Sequence, residues 1–124
     1  METKRQQQVA EVIKRNFGWV LQQEGAYIYG TEPFVTVTTV KMSPDLNIAK
    51  IYMSVYNIVD KQTVILEMEE NNSSLRQKLG ARVRKQLRRV PELSFFLDDT
   101  LDEMYRLKDL FDRLEEDNQM GERE

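Results

Sequence analysis

The chain has 124 residues, 40% of them apolar and 31% charged, with a formal net charge of −3, the size and balance of one globular domain around a single core. It contains neither cysteine nor histidine, which removes disulfides, thiolate chemistry, the commonest general base and the commonest metal ligand. A non-catalytic binding protein without cofactor or metal is therefore expected. With no long apolar run and no signal-peptide pattern, a cytoplasmic one without membrane contact is expected.

Residues 4–24 read as an amphipathic helix, with Val9, Ile13, Phe17, Val20 and Leu21 at helical spacing and Lys4, Arg5, Glu11, Lys14 and Arg15 elsewhere on the wheel. Trp19, near Phe17, reads as packed. Gly25 and Gly30 bracket a short link, and Pro33 introduces an extended segment. FVTVTTVKM (34–42) has the Val and Thr content of a strand. SPDLN (43–47) is a loop. AKIYMSVY (49–56) alternates Ile51, Met53 and Val55 with Lys50, Tyr52 and Ser54, so the two strands form an antiparallel hairpin.

Asp60 caps a helix to about Glu70 that carries Val64, Ile65 and Met68 inward. NNSS (71–74) breaks it, and a second helix is predicted from Leu75 to about Arg89, stopped by Pro91. ELSFFLDD (92–99) is a short third strand. TLDE (100–103) is a capping box for a final helix to about residue 114, carrying Leu101, Met104, Leu107, Phe111 and Leu114 on one side. The predicted organisation is one domain over 1–114 and a polar tail over 115–124. It is α+β, in the order α-β-β-α-(break)-α-β-α, with a three-stranded sheet and helices on one face.

Charge is segregated. Residues 76–89 hold seven bases and no acid, whereas residues 92–124 hold twelve acids against four bases. In the second helix Leu75, Leu79, Val83 and Leu87 form the buried side; Lys78, Arg82, Lys85 and Arg89 align as a stripe beside it, Arg84 and Arg88 lie opposite, and Arg76 borders the core. A solvated face is one reading. Such faces usually mix signs for i,i+4 pairing, however, and like charges at 78/82, 84/88 and 85/89 each cost a few tenths of a kcal/mol. That unforced cost points to a polyanionic partner.

Other candidates have two readings each. Tyr27, Tyr29, Tyr52 and Tyr56 could stack bases or pack. Tyr52 and Tyr56 share a strand face with Lys50 and Ser54. Asp98, Asp99 and Asp102 could surround a divalent cation, but capping of the final helix explains them better. Lys4 and Arg5 could add phosphate contacts. The acidic end could be structural, face a protein partner or repel other RNA.

Several segments together resemble the bacterial ribosome-binding factor A family. They are Arg5-Gln-Gln-Gln-Val-Ala, Val37 to Lys41 leading into SPDL (Ser43 to Leu46), Ala49-Lys50, Tyr52-Met53-Ser54-Val55, LRQKLGARV (75–83) and PELSFFLDD (91–99). The resemblance covers roughly residues 3–112 and keeps the order of every element above. It implies a KH-like fold of the type II arrangement. It also implies a monomeric, non-catalytic factor in small-subunit maturation, needed most in the cold. Such a factor binds the immature 30S subunit near the 5′ end and neck of 16S rRNA, assists late folding and 5′ end processing, and is released with help from an assembly GTPase. RNA contact is then expected at Arg76, Lys78, Arg82, Arg84, Lys85, Arg88 and Arg89, with Arg5 and Lys50. The chain departs from the pattern in one place. It has no GxxG, its glycines being residues 18, 25, 30, 80 and 121. The family's Ala-x-Gly interruption is matched here by Asn71-Asn72-Ser73. The alternative is a protein-interaction module whose basic helix docks on an acidic surface.

Overall fold

The computed structural model describes residues 2–98. Thr3 opens helix α1 (Lys4–Tyr29): its hydroxyl accepts from Gln6 N at 3.2 Å while the Gln6 side chain accepts from Thr3 N at 2.7 Å, a reciprocal cap. Gln6 Nε2 also donates to Met42 O at 3.0 Å, tying the start of α1 to the end of the first strand. The link expected after residue 24 does not exist. Gly25 is buried inside the helix because Tyr29, one turn later, folds back over it: a Cβ at Gly25 would stand 2.0 Å from the Tyr29 hydroxyl. The glycine is a niche rather than a break. Gly30 ends the helix at φ 86°, a conformation glycine adopts without strain, and its N–H bonds Ala26 O at 3.0 Å.

Strands β1 (Phe34–Met42) and β2 (Ile48–Tyr56) pair antiparallel, with a bulge between Val37 and Thr39. Their turn is held by the Asp45 carboxylate, which accepts from Ser43 Oγ at 2.6 Å and Asn47 N at 3.1 Å. Strand β3 (Glu92–Leu97) lies parallel to β2, giving the order β1-β2-β3. A parallel pair requires a crossover. Helices α2 (Lys61–Glu70) and α3 (Asn72–Val83) supply it, with Asp60 Oδ1 accepting from Thr63 N at 3.4 Å as the α2 cap. Over the described residues this is the expected order α-β-β-α-(break)-α-β, short of the final helix, and the KH-like arrangement of a three-stranded mixed sheet with helices on one face.

Besides α1, which runs on to Tyr29, and β3, which ends at Leu97 rather than 99, two boundaries differ in a way that shapes the surface. The break between α2 and α3 narrows to Asn71, because Asn72 and Ser73 are already helical. Asn71 bonds backward through Nδ2 to Glu67 O at 2.9 Å and forward through its carbonyl to Leu75 N at 3.0 Å, so it bends the path without unwinding it. The second difference is that α3 stops at Val83 rather than Arg89. A helix rises about 1.5 Å per residue, so continuing it would carry Val90 roughly 15 Å beyond Gly80. Instead Val90 returns to Gly80, where an added Cβ would meet Val90 Cγ2 at 3.0 Å. Arg76 secures that return by donating from Nε to Pro91 O at 3.0 Å and from Nη2 to Val90 O at 2.7 Å. The chain makes one more turn, with Leu87 N bonding Val83 O at 2.8 Å, and then doubles back.

Ile13, Phe17, Ile51, Met53, Met68, Leu75, Leu79 and Val83 have no exposed surface; each such side chain contributes about 1.5–3 kcal/mol on burial. Ala49, Ile51, Met53 and Val55 face the helices, and Phe17 stacks on Phe95 at 5.6 Å. The predicted final helix (100–114) and tail (115–124), with Asp99 and Asp102, lie outside the described residues.

Candidate nucleic-acid interface

The basic residues of 76–89 divide into three groups once α3 ends at Val83. The first is committed to the fold. Arg76 latches the returning chain, and Lys78 Nζ meets Glu24 Oε2 of α1 at 2.7 Å. Arg82 turns to α1 as well, its guanidinium 3.8 Å above the centroid of Trp19 and its Nε 3.3 Å from Asn16 Oδ1. The aligned stripe of Lys78, Arg82, Lys85 and Arg89 therefore does not form, since its last two members lie beyond the helix.

The second group, Arg84, Lys85 and Arg88, projects from the turn after α3. All three are exposed, and among the described residues they have no ion-pair or hydrogen-bond partner. The third, which shares Arg88 with the second, is a convergence. Arg5 from the first turn of α1 lines a cleft of about 270 Å³ together with Arg88, Arg89, Leu87 and the β1–β2 turn. Arg89 Nη1 lies 3.3 Å from Asn47 Oδ1 there. The N-terminal end of α1 adds the positive end of its dipole. Asp45 stands at the rim, and the bonds from Ser43 and Asn47 hold its carboxyl below the usual carboxylate range.

Lys50 is not brought to this surface. It lies on the sheet face away from the helices, in register with Lys41 and Ser94. On that face Tyr52 stacks on Phe96 at 5.3 Å with Lys41 Nζ 5.8 Å from its ring, Ser54 is buried, and Lys61 Nζ lies 5.7 Å from the Tyr56 ring. The break residues are also occupied. Asn72 Nδ2 donates to Leu93 O at 2.8 Å, and Glu69 Oε1 accepts from Phe95 N at 2.9 Å, so side chains around the bend fill the outer edge of β3. A cleft of about 790 Å³ runs beside this edge, lined by Ser73, Arg76, Gln77 and Gly80. Asp98 of the expected acidic cluster lies beside Thr38, whose Oγ1 is within hydrogen-bond reach of Asp98 Oδ2. Among the described residues no group of acids is arranged to hold a metal, and no helix is long and apolar enough to cross a membrane.

Trp19 was expected to be packed; it is, against Arg82, but with 44% of its surface exposed. Its helical position is offset from Phe17 and Val20, and Arg82 provides its packing surface. The signal available in the sequence was its separation from the Val9-Ile13-Phe17-Leu21 stripe.

The family model described as Ribosome-binding factor A matches residues 5–111. The chain belongs to that family. It is 37% identical over 114 residues to ribosome-binding factor A of Cytophaga hutchinsonii, covering 92% of this chain and 85% of that one. Its identity to the Christiangramia forsetii family member is 34%, covering 82% and 77%. The fold is similar to the crystal structure of ribosome-binding factor A from Thermus thermophilus at a TM-score of 0.60 and 20% identity, covering 74% of this chain and 94% of that one. It is also similar, at a TM-score of 0.56 and 22% identity, to a Thermus thermophilus ribosome-binding factor A fitted into a cryo-electron microscopy map of a 30S complex, covering 71% and 89%. Ribosome-binding factor A proteins are non-catalytic and serve ribosome assembly.

Proposed function

We propose that this protein binds immature 30S subunits through 16S rRNA and assists their late maturation, including processing of the 5′ end. The observation that carries the reading is the convergence of Arg5 with Arg88 and Arg89 in one cleft, beside Arg84 and Lys85, which have no partner among the described residues, in a chain of this family. Cations left without protein partners suit phosphate oxygens, and releasing condensed counterions from RNA favours binding. Lys78, Arg82 and Arg76 contribute mainly by shaping the surface, and Lys50 would meet RNA only at the opposite face. No bond is made or broken in this reading; differential affinity for immature and mature rRNA conformations supplies the effect. Action near the 5′ end and neck, release by an assembly GTPase, a monomeric state, a cytoplasmic location and a role in the cold complete it. The support for a 30S target is the Thermus thermophilus relative fitted in a 30S complex.

Co-sedimentation with immature 30S subunits, repeated after nuclease treatment, tests the reading. Association that disappears with the rRNA supports it. Association that survives nuclease would instead favour docking of the basic segment on an acidic protein.

A further inference from the structure

A groove of about 460 Å³ runs between α1 and β1, away from the cations of the 84–89 turn. Lys14, Arg15, Gly18 and Trp19 of α1 form one wall, and Thr36 of β1 lies on the other. Three features of it are unused by the fold. Trp19 leaves 44% of its surface in solvent, although a tryptophan offers a large apolar area and usually recovers it by packing. Lys14 and Arg15 have no ion-pair or hydrogen-bond partner among the described residues. Strand β1 pairs only with β2, so its other edge carries backbone donors and acceptors with no strand beside them among the described residues.

Arg82 changes what Trp19 can do. With its guanidinium 3.8 Å over one ring face and its Nε held by Asn16 at 3.3 Å, it fixes the orientation of the indole. A ring clamped on one side presents a preset surface for a second flat group, at little entropic cost on binding. Bases stack on aromatic side chains in this way whatever their identity, while cations alongside track the phosphates. The lining sets Lys14 and Arg15 against one acid, Glu11, which favours a polyanion over a basic or apolar peptide, and the clamped indole favours one that carries flat bases.

We propose that this groove is a second RNA-contact site, in which an unpaired nucleobase stacks on Trp19 while Lys14 and Arg15 hold its flanking phosphates. The proposal rests on the reading of the chain as an rRNA-binding protein and extends it from phosphate contact to single-stranded RNA.

Trp19 is the sole tryptophan, so its intrinsic fluorescence reports this site alone. The full chain is titrated with a single-stranded RNA oligonucleotide about ten nucleotides long, with the same strand in a duplex, and with an abasic strand of equal charge. Binding is followed independently by anisotropy of labelled RNA, and co-sedimentation with 30S subunits is measured in parallel. The expected result is strong quenching by the single strand and little by the duplex or abasic strand. Trp19→Ala weakens single-strand binding about tenfold, the scale of one lost base stack. Gly18→Leu gives the same loss by filling the groove: a Cβ at Gly18 meets nothing within 4 Å, leucine favours helix more than glycine does, and circular dichroism checks that the fold is kept. Subunit association with no quenching, and unchanged single-strand binding in both variants, would overturn this site and leave the broader reading standing. Loss of subunit association by the unaltered chain would overturn both.

Discussion

Glu24 Oε2 of α1 and Lys78 Nζ of α3 meet at 2.7 Å across the seam between the two helices. Both side chains are partly exposed, and such pairs contribute about 0.2–1 kcal/mol. Lys78→Ala should therefore lower the unfolding free energy in urea by no more than about 1 kcal/mol. Lys78→Glu should cost more, because it sets two carboxylates together, and adding Glu24→Lys should restore much of the loss. A charge reversal at Lys78 thus perturbs the α1–α3 seam as well as any RNA contact.

Arg84, Lys85 and Arg88 give a cleaner probe. Replacing all three with Ala should leave the thermal midpoint within a few degrees, since none has a protein partner among the described residues. Association with 30S subunits should fall sharply. The slope of log affinity against log salt should drop by about 2, as three phosphate contacts of about 0.7 each are removed. An unchanged slope would place the RNA surface elsewhere.

Arg76 should behave as a structural residue. Its two bonds to Val90 O and Pro91 O are charge-assisted, and on a partly exposed surface their joint loss in Arg76→Ala should cost about 1–2 kcal/mol. Amide exchange should quicken across residues 84–91 in that variant. Arg76→Lys should recover part of the stability, because an ammonium reaches one carbonyl more readily than two.

Tyr29 predicts an alkaline signature. Burial against Gly25 holds its phenol above the ordinary value of 10.0, so the unfolded chain ionises first. The stabilisation is complete below about pH 10 and is lost as pH rises through the folded-state value. Tyr29→Phe should remove this component of alkaline unfolding. Gly25→Ala should displace the ring and bring the phenol back toward the ordinary value in an ultraviolet titration, although alanine favours helix by about 1 kcal/mol.

Much of the frame could be read along the chain. Ile51, Met53 and Val55 alternate because a strand has two faces, and all three are buried, with Ala49 on the same face and Ser54 buried from the other. Thr and Val over 34–42 fall on β1 to the residue, and Asp60 caps α2 as its chemistry suggests. The ordered motifs from Arg5 to the PELSFF segment were sufficient to reach the family. Each of these signals is local, and local steric preference and periodicity encode them directly.

The misreadings share a different origin. Gly25 looks like a break until Tyr29 is seen to occupy the space its missing Cβ leaves. Trp19 looks packed beside Phe17 until Arg82, far along the chain, is found on its ring.

By itself, then, the sequence determined the element types, the apolar faces, the segregated charge and the family, because these follow from spacing and composition. Which cations are spent on the described fold was decided only by the tertiary structure. Leu75, Leu79, Val83 and Leu87 continue one apolar stripe through Arg84 and Lys85, and nothing in that pattern says the helix stops. It stops because Val90 must return to Gly80 and Arg76 so that β3 can lie beside β2. That reversal spends Arg76 on the fold, leaves Arg84, Lys85 and Arg88 in solvent, and brings Arg88 and Arg89 to Arg5.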